Sequence, residues 1–163
     1  MTTDNPYADI DDGTPTPNIW DDVRQFQLAA EQHLAPYPGF PNGDITMSFG
    51  LLVASLQPIL HTLHNTPVQN ERELRIKILL EEMGEYIQAE LTDDLVGVAD
   101  GLTDIHYIAA GTENSYGFHG AKHWNEIQGS NMSKSVNGVM TKNEDGKVMK
   151  PDSYYRPNLQ QFL

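Results

Sequence analysis

Apolar residues along this chain recur at helical rather than strand spacing. Ile19, Val23, Phe26, Ala30 and Leu34 fall at i, i+4, i+7, i+11 and i+15, which predicts one amphipathic helix from Asn18 or Ile19 to about Leu34. The Pro- and Gly-rich segment PYPGFPNGD, residues 36–44, stops it. A second helix is expected from about Thr46 to His64, with Pro58 kinking it or ending it early. Asn70 followed by Glu73 reads as a capping box opening a third helix, which runs to about Leu91 and buries Ile76, Leu79 or Leu80, Met83 and Ile87. Asp93 or Asp94 can cap a fourth helix through DDLVGVADGLTDIHYIAAGTENSYG, and a fifth is expected from Lys122 to Ser133. Beyond Val136 the dipeptides Asn137-Gly138 and Asp145-Gly146 mark turns. Strand signals are nearly absent, so the pattern predicts an all-α helical bundle over residues 19–135, with an irregular arm at 1–18 and an irregular, basic tail at 136–163.

Composition narrows this picture. At 163 residues the chain is long enough for one domain with its own core, and the absence of cysteine excludes disulfides, thiolate metal sites and thiol catalysis. The formal charge of -13 argues against nucleic acid or an anionic membrane as a partner. No apolar run reaches the roughly 20 residues that span a bilayer, and the Met-Thr-Thr-Asp-Asn start has no signal-peptide character, so a soluble, cytoplasmic protein is expected. The charge is uneven: residues 1–71 carry -8, residues 72–105 carry -6, and residues 106–163 carry +1.

The acidic middle holds the most informative chemistry. At about 100° per residue, Glu81, Glu85 and Glu82 occupy about one third of the third helix's circumference. Asp100 and Asp104, one turn apart, repeat the arrangement on the fourth helix. Antiparallel packing of these two helices would aim Glu82, Glu85, Asp100 and Asp104 into one cleft. Clustered carboxylates suit a hard cation such as Mg²⁺ or Mn²⁺, which in turn engages phosphates. A solvated acidic face is the alternative reading of such a run. Calcium binding of the EF-hand type fails, because neither DIDDG (9–13) nor NEDGK (143–147) has the required ligand alternation.

Glu81-Glu82-Met83-Gly84-Glu85 resembles the EExxE motif of the MazG-like, all-α nucleoside triphosphate pyrophosphohydrolases, and Asp104-Ile105-His106-Tyr107 resembles the aspartate closing their second ligand helix. The runs VADGLTDIHYIAAGT, EIQGSNMSK and DGKVMKPDSYYRP are similar to a phage and bacterial branch labelled phosphoribosyl-ATP pyrophosphohydrolase-like, within which the sequence resembles the phage MazZ subfamily. The resemblance implies hydrolysis of a (d)NTP to the monophosphate and diphosphate, with dGTP to dGMP for 2-aminoadenine nucleotide synthesis as the leading expectation. It implies two to three Mg²⁺ or Mn²⁺ ions held by Glu82, Glu85 and Asp104, and a homodimer or homotetramer completing the bundle. The family's second motif is ExxD, yet Gly101 stands three residues before Asp104 and Gly97 three before Asp100. Asp100 is the physical substitute for the absent glutamate, leaving Glu81 to bridge a further ion or orient the attacking water.

A triphosphate needs cations at its far end. Lys134, Lys142, Lys147, Lys150 and Arg156 lie in the last third. The resemblance implies that this region closes over the nucleotide, with Asn131 and Lys134 at the phosphates, Lys147 and Lys150 nearby, and Lys134 assisting departure of pyrophosphate. Asn18, Ile19 and Trp20 are candidates for gripping the base, Trp20 by stacking. His119 and His123 are i, i+4 but lack a third ligand, so zinc is not expected. Rival readings keep the fold but change the substrate to phosphoribosyl-ATP, dUTP or a modified nucleotide, or make the chain a non-enzymatic acidic interaction protein.

Overall fold

The computed structural model describes residues 13–41 and 43–163. Most of the residues 1–18 assigned to an arm lie outside that range. Among the described residues the chain is all-α: α1 (Ile19–Ala29), α2 (Met47–Ala54), α3 (Gln57–His64), α4 (Glu71–Leu91), α5 (Leu95–Ser115), α6 (Gly120–Met132) and a closing 3-10 turn, Leu159–Phe162. Among the same residues β-type pairing is confined to the isolated bridges Val136–Val139 and Lys142–Val148 around the two Gly turns.

The chain divides into two compact units, one of residues through Leu34 together with Phe118–Leu163, the other of Ala35–Gly117. In the first, α1 packs on α6. Asn18 caps α1, its Oδ1 accepting from the Asp21 N–H at 3.4 Å. The helix is shorter than its apolar spacing predicts. Glu31 adopts a left-handed φ of 48°, and the Ala29 carbonyl accepts from the Met140 N–H at 2.9 Å, so the tail takes the bond that another helical turn would have used. Trp124 Nε1 donates to Asp22 Oδ2 at 2.8 Å and Gln128 Nε2 to the Asp22 carbonyl at 2.9 Å, fastening α6 to α1. The segment after α6 returns along it. Ser130 Oγ donates to the Tyr155 carbonyl at 2.8 Å, the Tyr155 N–H to Ser133 Oγ at 3.2 Å, and the Asn158 N–H to Glu126 Oε1 at 2.8 Å. A side chain at Gly129 would overlap the Tyr155 phenol, so only glycine lets the tail lie so close.

In the second unit the stretch from Thr46 to His64, expected as a helix that Pro58 kinks or ends early, divides into α2 and α3, with Pro58 in the first turn of α3, where a missing N–H costs nothing. Asn70 caps α4 by accepting from the Glu73 N–H at 3.0 Å, while Glu73 accepts from the Gln69 N–H at 2.6 Å. Asp94 caps α5 through the Gly97 N–H at 3.0 Å. The turn between α4 and α5 spans only residues 92–94, so the two 21-residue helices fold back on each other. Small residues set how closely they meet. Gly97 lies against Ala89, and a Cβ on buried Gly101 would come within 3.0 Å of the Tyr86 N, Cα and Cβ atoms.

The buried face of α4 differs from the one predicted. Leu79, Leu80 and Ile87 are half-buried, but Ile76 is 57% exposed and Met83 42% exposed, because the fully buried positions of α4 are the small Gly84 and Ala89 at its closest approaches. Large apolar side chains also stand open on α2 (Met47, Leu51, Leu52) and α5 (Val96, Tyr107). Among the described residues no helix is long and apolar enough to cross a membrane.

Placing the family's glutamate at Gly101 should harm the fold rather than complete a metal site. Overpacking against backbone and desolvating a carboxylate together cost about 3 kcal/mol or more, so Gly101→Glu is expected to lower Tm by about 10 °C in a thermal melt. An unchanged Tm would refute the close α4–α5 contact.

Candidate active site

The contacts that join α4 to α5 also set which carboxylates face each other. With Tyr86 against Gly101, one turn back along α4 and one turn forward along α5 brings Glu82 level with Asp104 and Ile105. Glu82 and Asp104 are both half-buried, whereas Glu85 and Asp100 are exposed at the rim. Burial pushes the Glu82 carboxyl above its ordinary value, and repulsion from Glu85, Asp104, Glu81 and Asp100, in that order, pushes it further. Of the five acidic residues singled out from spacing, four therefore act on the fifth, Glu82. They do so through repulsion rather than shared ligation: among the described residues no three acidic or histidine side chains stand close enough to hold an ion as they are.

The donor set still fits a divalent cation in kind. It is oxygen-only, it comes from two helices fixed against each other, and its central member is made costly to ionise by like charge, a cost that a divalent cation relieves. The glycine in place of the second-motif glutamate also has its reason here, since the Tyr86 backbone occupies the space a side chain at 101 would need. Asp100 is the carboxylate that remains on that stretch of α5.

Glu81 has a partner that sequence reading did not find. Its Oε1 lies 2.8 Å from His64 Nδ1, and Lys77 Nζ holds the end of α3 by donating to the carbonyls of His64 and Thr66. His64, Glu81 and Glu85 line a groove of about 270 Å³ between α3 and α4. A separation of 17 positions between His64 and Glu81 carries no local spacing signal, which is why only the packed helices reveal the pair.

The cationic candidates belong to the other unit. Lys134 Nζ donates to Asn131 Oδ1 at 2.8 Å just past the end of α6, so these two meet although the helix stops at Met132. Lys150 Nζ lies 4.6 Å from the centre of the Tyr154 ring. Lys142 donates instead to the Glu31 carbonyl at 3.1 Å, and Lys147 is exposed, with its N–H donating to Asn143 Oδ1 at 2.8 Å. Of the base candidates, Trp20 is 70% exposed on the first turn of α1, Ile19 is half-buried, and the Asn18 amide is engaged with Asp21 in capping. His123 packs edge-on to Phe118 with ring centres 5.3 Å apart.

Residues 57–131, which run from α3 through most of α6, match the phosphoribosyl-ATP pyrophosphohydrolase family. The chain is also similar to the crystal structure of a candidate NTP pyrophosphohydrolase from Exiguobacterium sp. 255-15, at 28% identity and a TM-score of 0.54, covering 90% of this chain and 92% of that one. No curated protein matches in sequence. An all-α fold whose two longest helices carry the acidic motif, seen with these likenesses, defines a nucleotide pyrophosphohydrolase. Both likenesses support a relationship of this chain to the MazG-like enzymes of that class.

The raised Glu82 carboxyl has a consequence for stability. The folded chain, which holds this group desolvated and among like charges, binds its proton more tightly than the unfolded chain does, so stability is lost as pH rises from its ordinary value through its raised one. Glu82→Gln should therefore raise Tm at pH 7 in EDTA, and the gain should shrink as pH falls through the ordinary glutamate range. A variant that melts lower than the parent at pH 7 would contradict the crowding.

Proposed function

We propose that this enzyme hydrolyses a deoxynucleoside triphosphate, with dGTP as the leading substrate, to the monophosphate and pyrophosphate, and that it depends on Mg²⁺ or Mn²⁺. The observation that carries this reading is the convergence of four carboxylates from α4 and α5 on Glu82. Glu82, Glu85, Asp100 and Asp104 would hold the metal ions. When bound, these supply charge neutralisation at the α-phosphate and acidify a water. Glu81, with one oxygen on His64, orients the attacking water with the other. The water gives up one proton to solvent, its oxygen bonds to the α-phosphorus as the bond to the α–β bridging oxygen breaks, and pyrophosphate leaves with both electrons of that bond. Asn131, Lys134, Lys147 and Lys150 are the phosphate ligands in this reading, and Lys134 steadies the leaving charge. Asn18, Ile19 and Trp20 are its base-contacting candidates, Trp20 supported by its open ring. Homo-oligomerisation is part of the proposal, supported by the open apolar faces of α2, α4 and α5; a mass of 18.2 kDa in sedimentation equilibrium would contradict it.

Phosphoribosyl-ATP is the second reading, favoured by the family that residues 57–131 match. Assay of each dNTP, each NTP and phosphoribosyl-ATP with Mg²⁺, reading phosphate after added pyrophosphatase, decides between them. Release of pyrophosphate is expected, greatest from dGTP. Glu82→Gln and Asp104→Asn should each reduce kcat about 100-fold or more, and Asp100→Asn at least about 10-fold, equivalent to roughly 1.4 kcal/mol of barrier per factor of ten. Absence of pyrophosphate from every nucleotide, or unchanged rates in the first two variants, would overturn the proposal.

A further inference from the structure

In a chain of net charge -13, two lysines stand together without an acid. Lys134 Nζ lies 5.9 Å from the centre of the Tyr154 ring and Lys150 Nζ lies 4.6 Å from it, so two ammonium groups share one aromatic platform. Lys134 is also 5.6 Å from the Phe26 ring. The ion pairs among the described residues are His64–Glu81 and Arg75–Glu71, and neither lysine enters one. Two like charges gathered on one ring, with ample carboxylate elsewhere in the chain, form a site that an anion would relieve.

The platform is built, not incidental. Ser130, only 3% exposed, donates to the Tyr155 carbonyl, Ser133 Oγ takes the Tyr155 N–H, and Ser153 Oγ donates to the Ser133 carbonyl at 3.2 Å, so residues on either side of Tyr154 are tied to the end of α6. Burial alone would raise the Tyr154 phenol, but hydrogen bonding from Ser130 and Lys150, with the charges of Lys150 and Lys134, outweighs it and brings the phenol below its usual value. Asn131 spends its Oδ1 on Lys134, leaving its NH₂ to donate elsewhere.

We infer that Tyr154 is a direct ligand of the substrate's polyphosphate, donating its phenol proton to a phosphate oxygen between Lys134 and Lys150, and that this cradle binds a diphosphate without any divalent metal. The inference rests on the proposed reading of Lys134 and Lys150 as phosphate ligands. It adds Tyr154, and it places a complete anion site within one of the two units, independent of the carboxylates on α4 and α5.

Calorimetric titration of the full chain with inorganic pyrophosphate in EDTA tests it. Saturable binding is expected, undiminished in Glu82→Gln and weakened about tenfold in Tyr154→Phe, which keeps the ring and the fold but loses the hydroxyl. Bound pyrophosphate should also shift the phenolate absorbance titration to higher pH in the parent, a shift missing from Tyr154→Phe. No binding in EDTA, or equal binding by Tyr154→Phe, would overturn the inference. The hydrolysis assay is separate: a chain that binds pyrophosphate through Tyr154 but cleaves no nucleotide refutes the proposed function and leaves the cradle standing, and a chain that cleaves nucleotide while Tyr154→Phe binds as the parent does the reverse.

Discussion

The close approach of α4 and α5 is the constraint from which the site follows. Gly101 lets the Tyr86 backbone come near enough that no side chain could stand between them, and Gly97 does the same one turn away against Ala89. Once these contacts fix the register, Glu82 must lie level with Asp104, and the repulsion this creates is a cost the fold carries. Natural folds retain such costs where function needs them. The same contacts explain why glycine stands where the resembling motif has its second glutamate, since the Tyr86 backbone occupies that space.

Much of this was legible in the residues. The caps at Asn70 and Asp94 and the break near Pro58 were readable because each depends on residues within four positions of one another. The acidic faces of α4 and α5 were readable because helical spacing is local too. The end of α1 was not, because its stop is a hydrogen bond from Met140, more than a hundred residues away. The exposure of Ile76 and Met83 was misjudged for a related reason: periodicity finds an apolar stripe but not whether a partner helix covers it, and here small residues hold the closest contacts. The His64–Glu81 pair and the meeting of Lys134 with the Tyr154 ring were beyond sequence reading, since each joins residues at least seventeen apart, and only Lys150 is local to that ring.

The two units divide the chemistry by charge. The unit of Ala35–Gly117 carries the crowded carboxylates, and the other carries the acid-free lysines on their aromatic platform. This gives the uneven charge along the chain a physical sense. The acids of residues 72–105 form a surface that calls for cations, and the slightly basic last third contains a cluster that calls for an anion. Among the described acids before residue 72, Asp21 and Asp22 serve the capping of α1 and its attachment to α6, and Glu71 pairs with Arg75.

The central claim is that the facing carboxylates of α4 and α5 form a divalent-cation site. Electron paramagnetic resonance of Mn²⁺ titrated into the full chain reads that directly, because bound Mn²⁺ loses the sharp signal of the free ion. The account predicts saturable loss of signal with the parent chain and none with Glu82→Gln/Asp104→Asn. Mn²⁺ left free by the parent, or bound equally by the double variant, would contradict it.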